Sequence, residues 1–264
     1  MTIRMVALDI DGTLIPPGGG HEALPDPHIT SAVAELQQAG IVVVLASGRM
    51  FPGTARIARH LGLGTSLICQ QGASVHLPGG EITHRFAIDL DIARELTGFA
   101  REHGWPYAWF DAVRYVASTP NPSSTEYALV SGIDPEYHEA PQHSDFEPTG
   151  IDIISTPDDA NRIHRLLEAR YGSRAHFLDF PAVTGAHSPE ATKGNALALL
   201  AQDLGIPREA VLAIGDSVND VSMLRWAGVG VTLPHCDRYA REAADEILAG
   251  EGVERVAALL RSLV

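Results

Sequence analysis

Apolar positions fall into two textures along the chain. Near-continuous apolar runs at residues 3–10, 41–46, 66–69, 210–214 and 229–231 lack polar alternation. Such runs predict parallel strands covered on both faces. Helical periodicity lies between them. Pro25-Asp26-Pro27 opens an amphipathic helix with Ile29, Val33 and Leu36 on its apolar face, and Gly40 is placed to end it in a left-handed conformation. Further helices are predicted at 52–61, at 193–204 before Gly205-Ile206-Pro207, and at 220–227. Strand, helix and strand in succession predict an α/β fold. Its core is a Rossmann-like parallel sheet with helices on both faces, built from residues 1–81 and 190–264.

The segment 82–189 differs. Short strands with alternating apolar residues at 107–109, 115–117 and 151–153 mix with amphipathic helices at 92–103 and 158–171. They predict an inserted α+β cap domain, the part that would set substrate specificity. Trp105, Tyr107 and Trp109 suit its core better than a stacking platform. Residues 119–122 are proline-rich. Residues 134–147 form an acidic stretch with His138 and His143, expected to be a solvated loop because no zinc-ligand spacing occurs there.

Composition narrows the classes. The chain has 264 residues, 45% apolar and 20% charged, as in an ordinary soluble protein of one large or two smaller domains. Its longest apolar runs are too short for a bilayer, which needs about 20 residues. Asp9 and Asp11 interrupt the first apolar stretch, which therefore does not resemble a signal peptide. Net charge is −14, from 19 basic and 33 acidic residues, with no basic cluster, so neither a nucleic acid nor a membrane is an expected partner. Cys69 and Cys236 are expected as free thiols of a cytoplasmic protein. Lys193 is the single lysine among those 19 basic residues.

Parallel strands bring their carboxyl ends to one edge, where ligands bind in open α/β sheets. Three predicted strand ends carry chemistry there: Asp9-Ile10-Asp11-Gly12-Thr13, Ser47-Gly48-Arg49 and Gly215-Asp216-Ser217-Val218-Asn219-Asp220. Two carboxylates about 4 Å apart repel by about 4 kcal/mol at an effective dielectric near 20. A hard cation such as Mg²⁺ relieves that. Lys193 opens a helix, where its charge opposes the macrodipole unless an anion binds beside it. Arg49 has two open readings, a substrate contact or a brace between carboxylates.

Asp9-Ile10-Asp11-Gly12-Thr13-Leu14 resembles the opening motif of haloacid dehalogenase superfamily phosphatases. Ser47-Gly48-Arg49, Lys193-Gly194 and Gly215–Asp220 resemble the motifs that follow, in the same order. The long insertion is similar to the cap of the Cof-type subgroup. The resemblance implies a phosphatase acting on a small phosphorylated metabolite, a sugar phosphate or related compound, through an aspartyl-phosphate. A sugar phosphomutase and a non-catalytic sugar-phosphate-binding protein are the alternatives. It implies Asp9 as nucleophile, Asp11 as acid and base, and Lys193 as catalytic cation. Ser47, Gly48, Lys193 and Asn219 would hold phosphate, and Asp9, the main-chain carbonyl of Asp11 and Asp216 would hold Mg²⁺. Asp220 and Arg49 would support them from behind. Relatives often carry Asn-Gly-Ala where this chain has Gln71-Gly72-Ala73 after Gln70, and a different turn at Thr232–Cys236. A monomer or homodimer is expected.

Overall fold

The structure, a computed structural model, describes residues 2–250 and 252–264. It opens with β1 (Met5–Leu8), buried throughout. Val6 and Leu8 enter one apolar cluster while Met5 and Ala7 enter another, so the strand is covered on both faces. In α1 (Pro27–Gln38), Pro27 stands in the first turn and Asp26 caps it by accepting from the His28 amide. Gly40 then takes φ +79°, as expected of a helix-ending glycine. β2 (Val42–Leu45), α2 (Phe51–His60) and β3 (Leu67–Cys69) continue the alternation. β4 (Ser74–His76) and β5 (Ile82–Arg85) fold back on β3 as an antiparallel ribbon.

A second unit follows: α3 (Leu90–Glu102), β6 (Tyr107–Phe110), β7 (Tyr115–Ala117), α4 (Pro122–Val130), β8 (Glu136–Tyr137), β9 (Gly150–Ile154), α5 (Pro157–Tyr171), β10 (His176–Phe180) and β11 (Val183–His187). The chain then returns through α6 (Lys193–Asp203), β12 (Val211–Ile214), α7 (Val221–Trp226), β13 (Val229–Thr232), α8 (Arg238–Ala243), β14 (Glu246–Ile247) and α9 (Val253–Arg261).

The core sheet runs β14-β13-β12-β1-β2, all parallel. A parallel bridge from Ala46 to Ile68 attaches β3 at the far edge. α1, α2 and α9 pack on one face, and α6, α7 and α8 on the other. The fold is the doubly wound α/β arrangement expected from the uninterrupted apolar runs.

The cap sheet runs β10-β11-β9-β6-β7-β8 and is antiparallel except for β7 with β8. Alternation divides its side chains. Tyr107, Trp109, Ile151 and Ile153 pack under α3 and α5. Ala108, Phe110, Tyr115 and Ile154 face the other way, together with Met50 of the core. Tyr107 and Trp109 are thus core residues, and the Trp109 indole donates to the Thr97 hydroxyl at 2.8 Å.

Several expectations need correction. The acidic stretch 134–147 is not all loop, because it contains β8 and a short 3₁₀ turn at Pro141–His143. The proline-rich segment starts a helix: Asn121 caps α4 by accepting from the Ser124 amide, and Pro122 occupies its first turn. β4, β5, β10, β11, β14, α8 and α9 were not foreseen. Among the described residues no helix is long and apolar enough to cross a membrane, and both cysteines are free.

Candidate active site

The carboxyl ends of β1, β2 and β12 meet the start of α6 in one cleft under the cap. Asp9 follows β1 directly, its amide bonded to the Ile214 carbonyl at 3.0 Å. The chain then turns tightly, with the Leu14 and Ile15 amides both on the Ile10 carbonyl at 2.9 Å. Gly12 has φ +91°, and a Cβ there would lie 2.2 Å from Asp216 Oδ2. Only glycine lets the turn pass so near that carboxylate.

Thr192 caps α6 through the Asn195 amide, which puts Lys193 in the first turn. The Lys193 ammonium is fully buried and donates at 2.6 Å to both Asp9 Oδ1 and Asp220 Oδ1. Asp220 Oδ2 accepts from the amides of Asp216 and Ser217 at 2.9 and 3.0 Å. Asp220 thus fixes the ammonium with one oxygen and the Asp216 turn with the other. Asp216 accepts a long bond, 3.4 Å, from the Thr13 hydroxyl.

Charge in this cluster is unbalanced. Burial, then Asp220, raises Asp9 well above the usual carboxylate range, with Asp216 and Asp11 adding and Lys193 opposing. Burial and Asp220 push Asp216 up to about 7. Burial alone would lower Lys193, but Asp220 and Asp9 outweigh it and hold the ammonium charged. One lysine cannot neutralise Asp9, Asp216 and Asp220.

The carboxylates of Asp9, Asp216 and Asp220 offer oxygens within 4.8 Å of one another. Asp220 is already satisfied on both oxygens, whereas Asp9 Oδ2 is buried without a hydrogen-bond partner. A small divalent cation therefore fits best between Asp9 and Asp216, since an orphaned buried carboxylate oxygen is costly and oxygen ligands suit Mg²⁺.

The Asp11 side chain is engaged by Arg49 rather than by the cluster of Asp9, Asp216 and Asp220. Half exposed to the cavity, it accepts from Arg49 Nε at 2.7 Å and Nη2 at 2.5 Å. With both oxygens taken, only its main-chain carbonyl remains for a cation. Arg49 thus braces Asp11, while its Nη1 is buried without a hydrogen-bond partner and the residue lines the cavity.

A cavity of about 560 Å³ is lined on the core side by Asp9, Asp11, Gly48, Arg49, Asp216 and Asn219. Ser47, Lys193 and Asp220 lie behind that wall. Ser47 is fully buried, and its hydroxyl accepts from the Arg49 amide at 3.1 Å.

The two departures noted in the sequence, at Gln70-Gln71 and in the turn at 232–236, fall at this site, and the cap adds residues that went unrecognised. Gln70 and Gln71 hold left-handed φ values of 49° and 62°, a strained state for residues with side chains. Gln71 lines the cavity, and its Oε1 accepts from Asn219 Nδ2 at 2.6 Å. His235 Nε2 lies 2.8 Å from the Gly12 carbonyl and 3.9 Å from Asp216. The cap supplies Phe110, Tyr115, Tyr127, Asp152, Phe180 and His187 to the opposite wall. Positive φ leaves no mark in side-chain pattern, but Asp152 does: it interrupts an otherwise apolar strand.

Comparison with known proteins agrees with this geometry. The family model described as haloacid dehalogenase-like hydrolase matches residues 6–257. A Bacillus subtilis protein named phosphatase YwpJ is 26% identical, covering 99% of this chain and all of its own. An HMP-PP phosphatase of Citrobacter koseri is 27% identical over 87% of this chain and 84% of its own. Among solved structures, a haloacid dehalogenase-like hydrolase from Bacteroides thetaiotaomicron superposes with a TM-score of 0.84 at 21% identity, covering both chains fully.

Proposed function

The chain belongs to the haloacid dehalogenase-like hydrolase family, and from that premise we propose that it is a magnesium-dependent phosphatase of a small phosphorylated metabolite. The observation that carries this reading is the state of Asp9. One oxygen is held by a buried ammonium, and the other is bare at the floor of a cavity beside Asp216.

In this mechanism the Asp9 carboxylate attacks phosphorus in line with the leaving oxygen. The new O–P bond forms as the ester P–O bond breaks, giving an aspartyl-phosphate. Lys193 holds the Asp9 carboxylate through Oδ1, and its charge offsets what develops on the phosphoryl group. Asp11 lines the cavity beside Asp9 and gives the departing alkoxide its proton. It later takes a proton from the water that attacks phosphorus, and Asp9 is released with inorganic phosphate. Arg49 takes both Asp11 carboxylate oxygens, so Asp11 must leave Arg49 to act as the acid. Ser47, Gly48 and Asn219 position the phosphoryl oxygens with Lys193.

Asp9, Asp216 and the Asp11 main-chain carbonyl would hold Mg²⁺, whose positive charge lets a phosphate anion approach a carboxylate nucleophile. The segment 82–189 acts as the cap, closing over the bound ester and excluding water.

The test is phosphate release from p-nitrophenyl phosphate with and without Mg²⁺. Turnover should need the metal, stop in chelator and return on adding Mg²⁺. Asp9→Asn keeps the shape and should lower kcat by several orders of magnitude. Activity that survives excess chelator, or a near-normal Asp9→Asn enzyme, removes this mechanism.

A further inference from the structure

The turn after β3 is hard for its residues to hold. Among the described residues, only Gln70 and Gln71 have positive φ without being glycine. Main-chain bonds keep them there: the Gln70 amide donates to the Arg49 carbonyl at 2.9 Å, and the Gln71 amide to the Ser47 carbonyl at 3.1 Å. Strain of this kind persists where the surrounding structure needs a side chain in one place. The two side chains part from here. Gln70 Oε1 accepts from the Ser74 and Thr149 hydroxyls, toward the cap. Gln71 is buried in the core-side wall of the active-site cavity.

A relay of hydrogen bonds fixes which end of the Gln71 amide faces which way. The Asp220 amide donates to the Ser217 hydroxyl in a capping box, so that hydroxyl keeps its own proton to give. It gives it to Asn219 Oδ1 at 2.6 Å. Asn219 therefore presents Nδ2 to Gln71, whose Oε1 accepts at 2.6 Å. With Oε1 committed, the Gln71 NH₂ is the end turned toward Gly48, where a Cβ would lie 2.5 Å from Nε2.

Sheet order gives this amide its place. β1 lies between β12 and β2, so the turns carrying Asn219 and Gly48 flank the end of β1, where Asp9 stands. Gln71 spans from one to the other. The nearby cations are largely committed, Lys193 to Asp9 and Asp220, and Arg49 Nε and Nη2 to Asp11. A phosphoryl group gains charge on its oxygens during transfer, and a donor already oriented there costs no reorganisation.

We propose that Gln71 is a further catalytic residue, whose amide NH₂, oriented by Asn219 and Ser217, donates to a phosphoryl oxygen as Asp9 attacks. This rests on the phosphatase reading above, because it adds a donor to the same transfer.

The test measures kcat/KM for p-nitrophenyl and α-naphthyl phosphates with Mg²⁺, and inhibition by orthovanadate, in wild type, Gln71→Gly and Gln71→Glu. Glycine adopts this φ freely, so Gln71→Gly keeps the turn and loses the amide. Its kcat/KM should fall about a hundredfold. The factor should be the same for both esters, because the phosphoryl group is what they share. Orthovanadate mimics the transition state at phosphorus, and its binding should weaken by a similar factor. Gln71→Glu keeps an oxygen for Asn219 and exchanges the NH₂ for a carboxylate oxygen that repels phosphate. It should lose at least about tenfold more than the glycine variant.

A Gln71→Glu enzyme with wild-type turnover would mean that the residue only braces Asn219, and the proposal falls. It falls also if Gln71→Gly stays within about threefold of wild type, or if the loss follows the leaving group rather than the phosphoryl group. The two readings fail differently. Hydrolysis of neither ester by wild type removes the phosphatase reading, whereas undiminished hydrolysis by Gln71→Gly removes the Gln71 assignment alone.

Discussion

Buried carboxylates in this protein come in two kinds. Asp220 has all its bonds from the protein: an ammonium on one oxygen and two amides on the other. Asp9 keeps Oδ2 buried and unpartnered, while Asp152, bonded through Oδ2 to the Tyr115 hydroxyl, faces the same cavity from the cap. Buried charge opposes folding, and Asp152 permits that cost to be measured away from the acidic cluster. Burial raises its carboxyl from 3.8 to about 7, so the folded state binds a proton that the unfolded chain has already released. The stability this proton lends is whole below about pH 4 and disappears as pH climbs toward 7, a change of roughly 4 kcal/mol at most. Asp152→Asn has no proton to lose. Its thermal midpoint should therefore gain on that of wild type between about pH 4 and about pH 8, as followed by circular dichroism; a constant difference would mean that Asp152 ionises freely. Residue type was enough to single out Asp9 and Lys193 in the sequence, because a carboxylate pair at a strand end and a lone lysine at a helix start are unusual in themselves. It was not enough for Arg49, whose two roles differ only in where a flexible side chain ends up, nor for Gln70 and Gln71, whose conformation is imposed by the turn after β3.

Among the elements, α6 matters most, since it delivers Lys193 and is gripped from two sides. A Cβ on Gly72 would stand 2.2 Å from the Thr192 carbonyl, and one on Gly194 would stand 2.3 Å from the Ser222 carbonyl. The Gly194 amide also donates to the Ser222 hydroxyl at 3.0 Å. These contacts with backbone cannot be relieved by rotating a side chain, so Gly194→Ala must push α6 away from α7. The Lys193 ammonium and Asp220 lie across that same seam at 2.6 Å. The substitution should cost about 1–3 kcal/mol in urea unfolding and lower kcat by more than about tenfold. Wild-type values on both counts would mean that α6 tolerates displacement. The periodic apolar face of α6 was legible in the chain, as were the uninterrupted runs of β1, β2 and β12. α4 was not: its first turn is Pro, Ser, Ser and Thr, and tertiary contact rather than propensity keeps it helical. The ribbon strands β4 and β5 were missed because each is only three or four residues long, too short to establish a period of two.

Across the whole molecule, core and cap meet along a narrow seam that falls beside the chemistry. The Met50 amide donates to the Ser131 hydroxyl at 3.2 Å, the Gly53 amide to the Ser131 carbonyl at 2.8 Å, and the Tyr127 hydroxyl to the Gly48 carbonyl. Gln70 ties in from the next strand end, donating to the Asp111 carbonyl and accepting from the Thr149 hydroxyl. Every core partner in these bonds lies in the segments that follow β2 and β3, the former carrying Gly48 and Arg49. These bonds tie the cap directly to the backbone that aims Arg49 at Asp11. No sequence period reveals such a seam, because its two sides are some eighty residues apart and most of its bonds use main-chain atoms. Ser131→Ala tests the coupling at its centre. It leaves the Met50 amide buried without an acceptor, at about 1–3 kcal/mol, while Ser131 itself does not line the cavity. Amide exchange should then rise at Met50, Gly53 and along α4 while β1 and β12 stay protected, because the loosening is confined to the seam. KM should increase more than kcat falls, since binding a substrate must now also order the cap. Exchange that quickens equally in β1 and β12 would instead mean that core and cap loosen as one body, leaving the seam no separate part in aiming Arg49.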